Sequence, residues 1–214
     1  LLSSASAASA LPWSRRAVAV AERNPAGLAE GGAPIIGRPT LVSASDAAFA
    51  NGVLGHGLVR DDMHLGSVSH LATVIVPTLL SVSANAPADG KTLLTALVAG
   101  YEAGGKLGKL ILDVDVSKIF RPTGITGPFA GAAAAAKLMS HHADRTAAAL
   151  GLAANAAAGY NERGATGGSE MFFHAGAAAR SAVTAAQLAA EGAHVSRTPI
   201  DGEAGLLAAL PKPL

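Results

Sequence analysis

Two aspartates and two histidines lie within ten positions of one another, at Asp61, Asp62, His64 and His70. The chain of 214 residues has only 15 acidic residues and 7 histidines, so titratable groups are concentrated here. Carboxylates and imidazoles suit proton transfer because their pKa values can be moved towards neutrality. The segment is therefore a candidate catalytic site. The alternative is structural, with the aspartates starting a turn and a histidine capping it.

The same residue types also bind metal ions. Their spacing matches no established metal signature, so we predict that the site holds no metal. Cysteine does not occur in the sequence, which excludes a thiol nucleophile and cysteine-held zinc or iron–sulfur clusters. The lack of cysteine also fits a reducing compartment, and we expect a cytoplasmic protein.

Composition favours an all-α fold. Half of the residues are hydrophobic, 14% are charged and only 4% are aromatic, so alanine, leucine and valine form most of the core. Alanine and leucine are strong helix formers. Small side chains allow closely spaced helix axes, which predicts a compact domain of several helices. The large apolar share also predicts that part of the surface is buried in an oligomer.

Charge and hydropathy exclude two classes of partner. The net charge of +1 leaves no basic stripe, so we expect no nucleic-acid partner. The longest apolar run, residues 71–84, is too short to span a bilayer and contains Pro77. We therefore expect no membrane partner.

Local patterns predict several helices around the first polar segment. Ser43 precedes Asp46 by three residues, as in a capping box, and starts a helix over residues 44–60. The apolar arc of that helix is wide, which predicts that His56 is a hydrogen-bonded core histidine. Ser69 is the predicted cap of the next helix, and Asp89 starts another.

In the helix after Asp89, Gly100, Gly104 and Gly108 recur at every fourth position. This spacing predicts a groove without side chains, against which a neighbouring backbone packs closely.

A second polar segment covers residues 113–127 and ends before Pro128, which suits a first helical position. Backbone N–H groups and the helix dipole at such a start favour an anion. The side chains of Arg121, Thr123 and Thr126 add donors for a carboxylate or phosphate. The alternative is that the Thr-Gly-x-Thr-Gly sequence only starts a helix.

A third polar segment is the glycine-rich loop 161–174, which is long enough to form a wall of a site. His174 is predicted to open the final helix, and Gly192 to end it. The segments 60–70, 113–127 and 161–174 each adjoin a helix terminus. We therefore predict that they meet at one end of a helical bundle.

Four stretches occur in an order that resembles the MmgE/PrpD family, which includes 2-methylcitrate dehydratase and cis-aconitate decarboxylase. They read SASDAAFANGVLGHGLVRDDMHLGSVSH, RPTGITGPFAGAAAAAKLM, ATGGSEMFFHAGAAARSA and PIDGEAGLL. The resemblance implies one helical domain over residues 1–214, a homodimer, and a separate α+β lid domain. Its first helix and the lid are expected to be missing from this chain.

The resemblance further implies a lyase that removes water or carbon dioxide from a small polycarboxylate without a metal or other cofactor. It assigns proton transfer or its orientation to Asp61, Asp62 and His70. Substrate binding falls to the second and third segments and one further histidine, namely Arg121, Thr123, Gly124, His174 and His64.

The sequence departs from the family pattern at four positions. Val59 stands where the family has aspartate, Met63 where it has threonine, Arg121 where it has histidine, and Met171 where it has lysine. Arginine keeps its proton near neutral pH, so Arg121 is able to bind a carboxylate but not to relay a proton. Two hypotheses follow: a lyase with an altered site, or a catalytically inactive homologue that keeps the fold, the dimer and anion binding.

Overall fold

Helices account for most of the chain, as its alanine and leucine content predicts. The computed structural model describes residues 1–210, apart from the side chain of Val114. The predicted domain runs to residue 214, so its last four residues lie outside the described part. The helices within the described part are α1 (Leu2–Ala8), α2 (Pro12–Ala21), α3 (Ala44–His56), α4 (Ala72–Ser83), α5 (Gly90–Ile111), α6 (Val114–Ile119), α7 (Pro122–Leu138), α8 (Ala143–Ala154), α9 (Arg163–Thr166), α10 (Glu170–Ala190) and α11 (Leu206–Ala209).

A short antiparallel ladder and two turns of 3-10 helix complete the described elements. Strand β1 (Ala33–Pro34) pairs with β2 (Leu41–Val42), with Ala33 opposite Val42. The 3-10 turns cover Leu28–Glu30 and Leu65–Ser67. Two strands of two residues make no separate layer, so the predicted all-α fold is confirmed.

Helix α7 lies at the centre of the bundle, where it packs against α4, α5, α8 and α10. Each of its residues except Lys137 is buried. Helix α10 also packs against α3, which α1 and α2 cover from the other side. The alanines and glycines of α7 take up little space, so four helices can surround it closely.

The predicted glycine groove on α5 is confirmed at its contact with α7. A Cβ on Gly100 would lie 2.7 Å from the carbonyl oxygen of Ala130, and one on Gly104 would lie 2.7 Å from the Ala130 Cβ. A Cβ on Gly108 would collide with Ser67. Because these three positions have no side chain, α5 packs closely against α7 and against the 3-10 turn Leu65–Ser67.

Two predicted helix starts are confirmed by their hydrogen bonds. The Ser43 hydroxyl accepts the N–H of Asp46 at 3.2 Å at the start of α3. The Asp89 carboxylate accepts the N–H of Thr92 at 2.7 Å at the start of α5. Both contacts satisfy backbone donors that a helix start leaves without a partner.

The prediction that Ser69 caps α4 is wrong. The Ser69 hydroxyl donates to the carbonyl of Ser67, at 2.7 Å. The N–H of Ala72 instead donates to both carboxylate oxygens of Asp62, at 3.0 and 3.1 Å. A charged acceptor is stronger than a hydroxyl and also favours the positive end of the helix dipole.

The predicted start of α7 at Pro128 is also wrong. The helix begins six residues earlier, at Pro122, which suits the first helical position equally well. Residues 114–119, predicted as loop, form α6. Gly124 disfavours helix locally, but a Cβ there would collide with the carbonyl of Ala158, so close packing outweighs propensity.

Two helix boundaries differ from the predictions by about one turn. Helix α3 ends at His56 and not at residue 60, because the chain turns through Val59 with a φ of 52°. Helix α10 begins at Glu170, one turn before His174. Gly192, with a φ of 84°, follows the end of α10 as predicted.

The outer face of α5 has large apolar side chains in contact with solvent. Leu94 is 62% exposed, Val98 is 57% exposed and Leu110 is 83% exposed. Such a face is a candidate for burial in an oligomer. Among residues 1–210, no helix combines the length and hydropathy needed to cross a bilayer.

Candidate active site

A buried aspartate between two histidines forms the centre of the candidate site. Asp61 Oδ2 lies 2.6 Å from His56 Nδ1, and Asp61 Oδ1 lies 2.7 Å from His70 Nδ1. The Asp61 side chain is fully buried, and those of His56 and His70 are 1% and 7% exposed. The two imidazole rings meet edge to face, with centroids 4.8 Å apart. One carboxylate therefore orients both rings.

The turn between α3 and α4 brings these three side chains together. His56 is the last residue of α3, and Asp61 follows it after the left-handed turn at Val59. Asp62 then fixes the end of the turn, because its carboxylate caps α4 and accepts the hydroxyl of Tyr101 at 2.7 Å. Burial and the Asp62 carboxylate raise the pKa of Tyr101 far above its usual range, which keeps this hydroxyl a donor.

The main chain of His70 is held by two threonines. Its N–H donates to Thr123 Oγ1 at 3.0 Å, and its carbonyl accepts the hydroxyl of Thr73 at 2.7 Å. Together with Asp61, these contacts fix both the backbone and the ring. Among the described residues, none forms a hydrogen bond with His70 Nε2, so this nitrogen remains available to a substrate.

Arg121 determines the tautomer of His56. Its Nη2 lies 3.3 Å from His56 Nε2. A guanidinium only donates hydrogen bonds, so His56 Nε2 accepts and the ring proton lies on Nδ1, facing Asp61. Asp61 consequently accepts from both imidazoles, and His56 is neutral in this arrangement.

The pKa values follow from this network. Burial opposes ionisation of Asp61, but the hydrogen bonds from His56 and His70 outweigh it and hold its pKa far below the usual range. Burial lowers the pKa of His56 in spite of the nearby Asp61. Asp61 is therefore an anion near neutral pH, and His56 resists protonation.

The third polar segment lies alongside Arg121. The backbone N–H of Arg121 donates to the carbonyl of Gly159 at 3.0 Å. Gly159 has a φ of 119°, and a Cβ there would lie 3.1 Å from the His174 ring. Burial and the charge of Arg121 lower the pKa of His174, while Glu170 opposes the shift. The three polar segments thus meet at one end of the bundle.

An apolar wall closes one side of the site. The Phe172 ring lies 6.4 Å from that of His56 and stacks on Trp13 with a centroid distance of 4.0 Å. Met171 is 6% exposed and packs in the same cluster. Apolar surroundings strengthen the electrostatic interactions of the neighbouring polar groups.

The sequence of the chain also matches a known protein family. The sequence family described as the MmgE/PrpD N-terminal domain matches residues 1–213. The chain belongs to the MmgE/PrpD family.

Several relatives of the chain have names that describe an activity. The cis-aconitate decarboxylase-like protein oryM of Aspergillus oryzae is 30% identical over 158 residues, which are 70% of this chain and 32% of that protein. The cis-aconitate decarboxylase of Homo sapiens is 30% identical over 164 residues, 74% of this chain and 34% of that protein. That of Aspergillus terreus is 28% identical over 156 residues, 70% of this chain and 31% of the relative. The matches therefore cover about a third of each relative.

The four residues predicted to depart from the MmgE/PrpD pattern have distinct structural settings. Val59 and Met63 are 42% and 46% exposed at the edge of the site. Arg121 donates to His56 and is half-buried. Met171 is buried against aromatic rings and supplies no charge. Of these four residues, Met171 is thus part of the core of this MmgE/PrpD chain, and Arg121 is partly buried in the site.

Two residues assigned to substrate binding make structural contacts. His64 Nδ1 lies 2.8 Å from Ser67 Oγ, and its ring packs on Gly105 of α5. Gly124 is buried, and its carbonyl accepts the N–H of Ala158 at 3.2 Å. Neither forms a hydrogen bond with the His56–Asp61–His70 cluster within residues 1–210.

The cluster of His56, Asp61 and His70 was also tested as a metal site. One ligand atom of each residue lies within 4.8 Å of the others. Their chemistry fits a metal poorly, because both Nδ1 atoms donate protons to Asp61 and the Arg121 cation adjoins His56. A metal ion bound here would have to replace the hydrogen bonds that both histidines form with Asp61.

Two polar residues of the site were not assigned to it from the sequence. His56 was predicted as a hydrogen-bonded core histidine, and it is buried and hydrogen-bonded, but its partner is Asp61. Tyr101 was given no role from the sequence, whereas its hydroxyl donates to Asp62. His56 and Asp61 are only five positions apart, so their contact could have been predicted from the sequence. Asp62 and Tyr101 are 39 positions apart, and nothing in the sequence indicates their contact.

Proposed function

We propose that this chain is the helical domain of a lyase that dehydrates or decarboxylates a small polycarboxylate. The observation that carries the proposal is the His70 imidazole, which Asp61 and two threonines orient with Nε2 available. The family and the names of its relatives support the reaction class. Because the chain spans about a third of those relatives, other parts of a complete enzyme are expected to contribute to the site.

His70 is the proposed proton-transfer group. In a decarboxylation, the carbanion left by departing carbon dioxide would take a proton from Nε2; in a dehydration, Nε2 would remove or deliver one proton. Asp61 has no exposed surface, so we assign it to orienting His70 and stabilising its imidazolium. Asp62 has both oxygens engaged in capping α4 and is assigned to holding the turn.

Arg121 and His174 are the proposed carboxylate-binding groups, with Thr123 holding the backbone of His70. Arg121 is a permanent donor with a planar fork that matches a carboxylate. We expect no organic cofactor and no metal, because His70 is available for proton transfer and Arg121 for carboxylate binding. His64 and Gly124 are left as packing residues.

The alternative is a catalytically inactive homologue that keeps the fold and binds an anion. It is favoured by Arg121, which cannot relay a proton at the position where the family has histidine. The buried, uncharged Met171 points the same way. Each such loss would reduce the rate by roughly 10²–10⁴-fold.

A turnover assay distinguishes the two functions. Purified protein is incubated with cis-aconitate, citrate and 2-methylcitrate, and ultraviolet absorbance follows the conjugated double bond. We expect an enzyme-dependent change that His70→Ala reduces by roughly 10²–10⁴-fold, with His64→Ala as the matched control. No turnover by the folded protein, also after Arg121→His with Met171→Lys, would contradict lyase activity and favour the inactive homologue.

A homodimer is the proposed assembly, supported by the exposed Leu94, Val98 and Leu110 of α5. Light scattering coupled to size-exclusion chromatography would measure its mass. A monomer at micromolar concentration would contradict it. We continue to expect no nucleic-acid partner, and the cytoplasmic location remains a prediction.

A further inference from the structure

The loop before α9 is paired with the segment that carries Arg121. The N–H of Asn161 donates to the carbonyl of Ile119 at 2.9 Å, and Phe120 pairs with Tyr160 in an antiparallel bridge. Asn161 Nδ2 also donates to the carbonyl of Ser117 at 3.1 Å. This pairing holds residues 160–161, which lead into α9, beside residues 117–120, which lead into α7.

A second arginine, Arg163, is thereby placed near the site. It is the first residue of α9, two positions after the paired Asn161. The Nε atoms of Arg121 and Arg163 are both buried, and neither has a hydrogen-bond partner among the described residues. Burial lowers the pKa of Arg121 and the charge of Arg163 lowers it further, while the charge of Asp61 only partly opposes the shift.

No carboxylate of residues 1–210 forms an ion pair with either arginine. The ion pairs found in this part of the chain involve other partners. Asp61 uses both oxygens for histidines. Glu170 lies against Gly168 of its own loop, and its charge acts on His174.

Two neighbouring guanidinium groups that form no ion pair with a carboxylate repel each other. Their partial burial also costs hydration free energy. An anion that contacts both would remove the repulsion and satisfy the unpartnered donors. A monocarboxylate has one acceptor group, whereas a di- or tricarboxylate has an acceptor group for each guanidinium.

We propose that Arg163 is a substrate-binding residue that acts with Arg121, and that the pair selects polycarboxylates over monocarboxylates. The inference rests on the proposed function, because it specifies the substrate class of the same site. Arg163 contacts a carboxylate remote from the reacting carbon, while Arg121 contacts the one beside His70.

Calorimetric titration with propane-1,2,3-tricarboxylate tests the proposal without depending on turnover. Butyrate at matched ionic strength serves as the monocarboxylate. We expect the tricarboxylate to bind at least about tenfold more tightly than butyrate, since each charge-assisted contact adds affinity. We expect Arg163→Gln to remove most of this preference and Arg163→Lys to restore part of it.

The matched control is Arg197→Gln, which removes the same charge from an exposed residue after α10. Unchanged tricarboxylate affinity in Arg163→Gln, with loss in Arg121→Gln, would overturn the role of Arg163 and leave the proposed anion site intact. Equal weakening by Arg197→Gln would show a general effect of net charge and would also overturn it. If the unaltered protein binds neither acid, the proposed anion site itself fails.

Discussion

Two sides of the candidate site differ in how far their polar groups are satisfied. On the side of α3 and α4, Asp61 and Asp62 use their carboxylate oxygens for four partners within the protein. On the side of residues 159–174, the buried Nε of Arg163 and Nδ1 of His174 have no partner among the described residues. The first side is preorganised, whereas the second has donors that a ligand would satisfy.

This difference separates stability from binding. Buried and fully paired polar groups specify one arrangement, and removing one partner leaves the others unsatisfied. Unpaired donors add little to folding but are available to an anion. We therefore expect substitutions on the first side to change the free energy of unfolding, and those on the second side to change ligand affinity.

The largest stability effect is expected for Asp61→Ala. It leaves two buried imidazoles without their acceptor, and breaking a buried pair costs about 3–5 kcal/mol. Urea unfolding followed by circular dichroism would measure the loss. Arg163→Gln is the matched change on the other side, with an expected loss within about 0.5 kcal/mol. Equal losses in the two variants would remove the distinction between the two sides.

Gly124→Ala tests the close backbone contact that joins the two sides. The added Cβ would collide with the Ala158 carbonyl, so we expect a loss of about 1–3 kcal/mol from strain. Gly164→Ala is the control, because a Cβ there meets nothing within 4 Å. The same unfolding measurement applies. A stability gain for Gly124→Ala would show that α7 and the 158–159 segment can separate at little cost.

Stability should also depend on pH through the first side. The folded pKa of His56 is lowered by burial, so below about pH 6.5 the unfolded chain takes up a proton that the folded chain does not. Stability should fall by at most about 1.4 kcal/mol per pH unit from this residue. Below about pH 4, loss of the Asp61 contribution adds a second decline, because its folded pKa is also lowered.

The variant His56→Asn tests the origin of the first decline. Asparagine retains a donor towards Asp61 but does not titrate. Unfolding free energies at pH 7.5 and pH 5.5 should differ less in this variant than in the unaltered protein. An unchanged difference would assign the decline to another histidine, such as the partly buried His141 or His174, whose pKa values are also lowered by burial.

The smallest effect is expected at the strained turn of the first side. Val68 has a φ of 48°, which β-branched residues rarely adopt, and its side chain is 47% exposed. Val68→Gly should raise the free energy of unfolding by up to about 1 kcal/mol. Val98→Gly, an exposed valine within a helix, should instead lower it by about 0.5 kcal/mol or more. A loss in Val68→Gly would show that the valine side chain contributes contacts that exceed the strain.

Much of the fold followed from local patterns. Alanine content predicted the all-α bundle, and the side chains of Ser43 and Asp89 predicted two helix starts that the structure confirms. The glycine spacing on α5 predicted its contact groove. The order of four sequence stretches predicted the MmgE/PrpD family, which the family match confirms. These features depend on residues close in sequence, so a single chain contains the information.

Other features were decided by tertiary contacts. Helix α7 begins at Pro122 and not at the predicted Pro128. Its central position among four helices stabilises glycines that would disfavour a helix on their own. Asp62 caps α4, although Ser69 is closer in sequence to the start of that helix. Local propensity differs little between such alternatives, so packing and distant hydrogen bonds choose between them.

The sequence by itself determined which chemical groups this chain has: an acidic pair, several histidines and an arginine in the second polar segment. Only the tertiary structure decided their roles. It joined His56 and His70 through Asp61, turned His64 towards α5, and paired the segment before Arg163 with the segment before Arg121. The physical reason is that tautomer, charge state and accessibility depend on partners in space, which spacing along the chain does not specify.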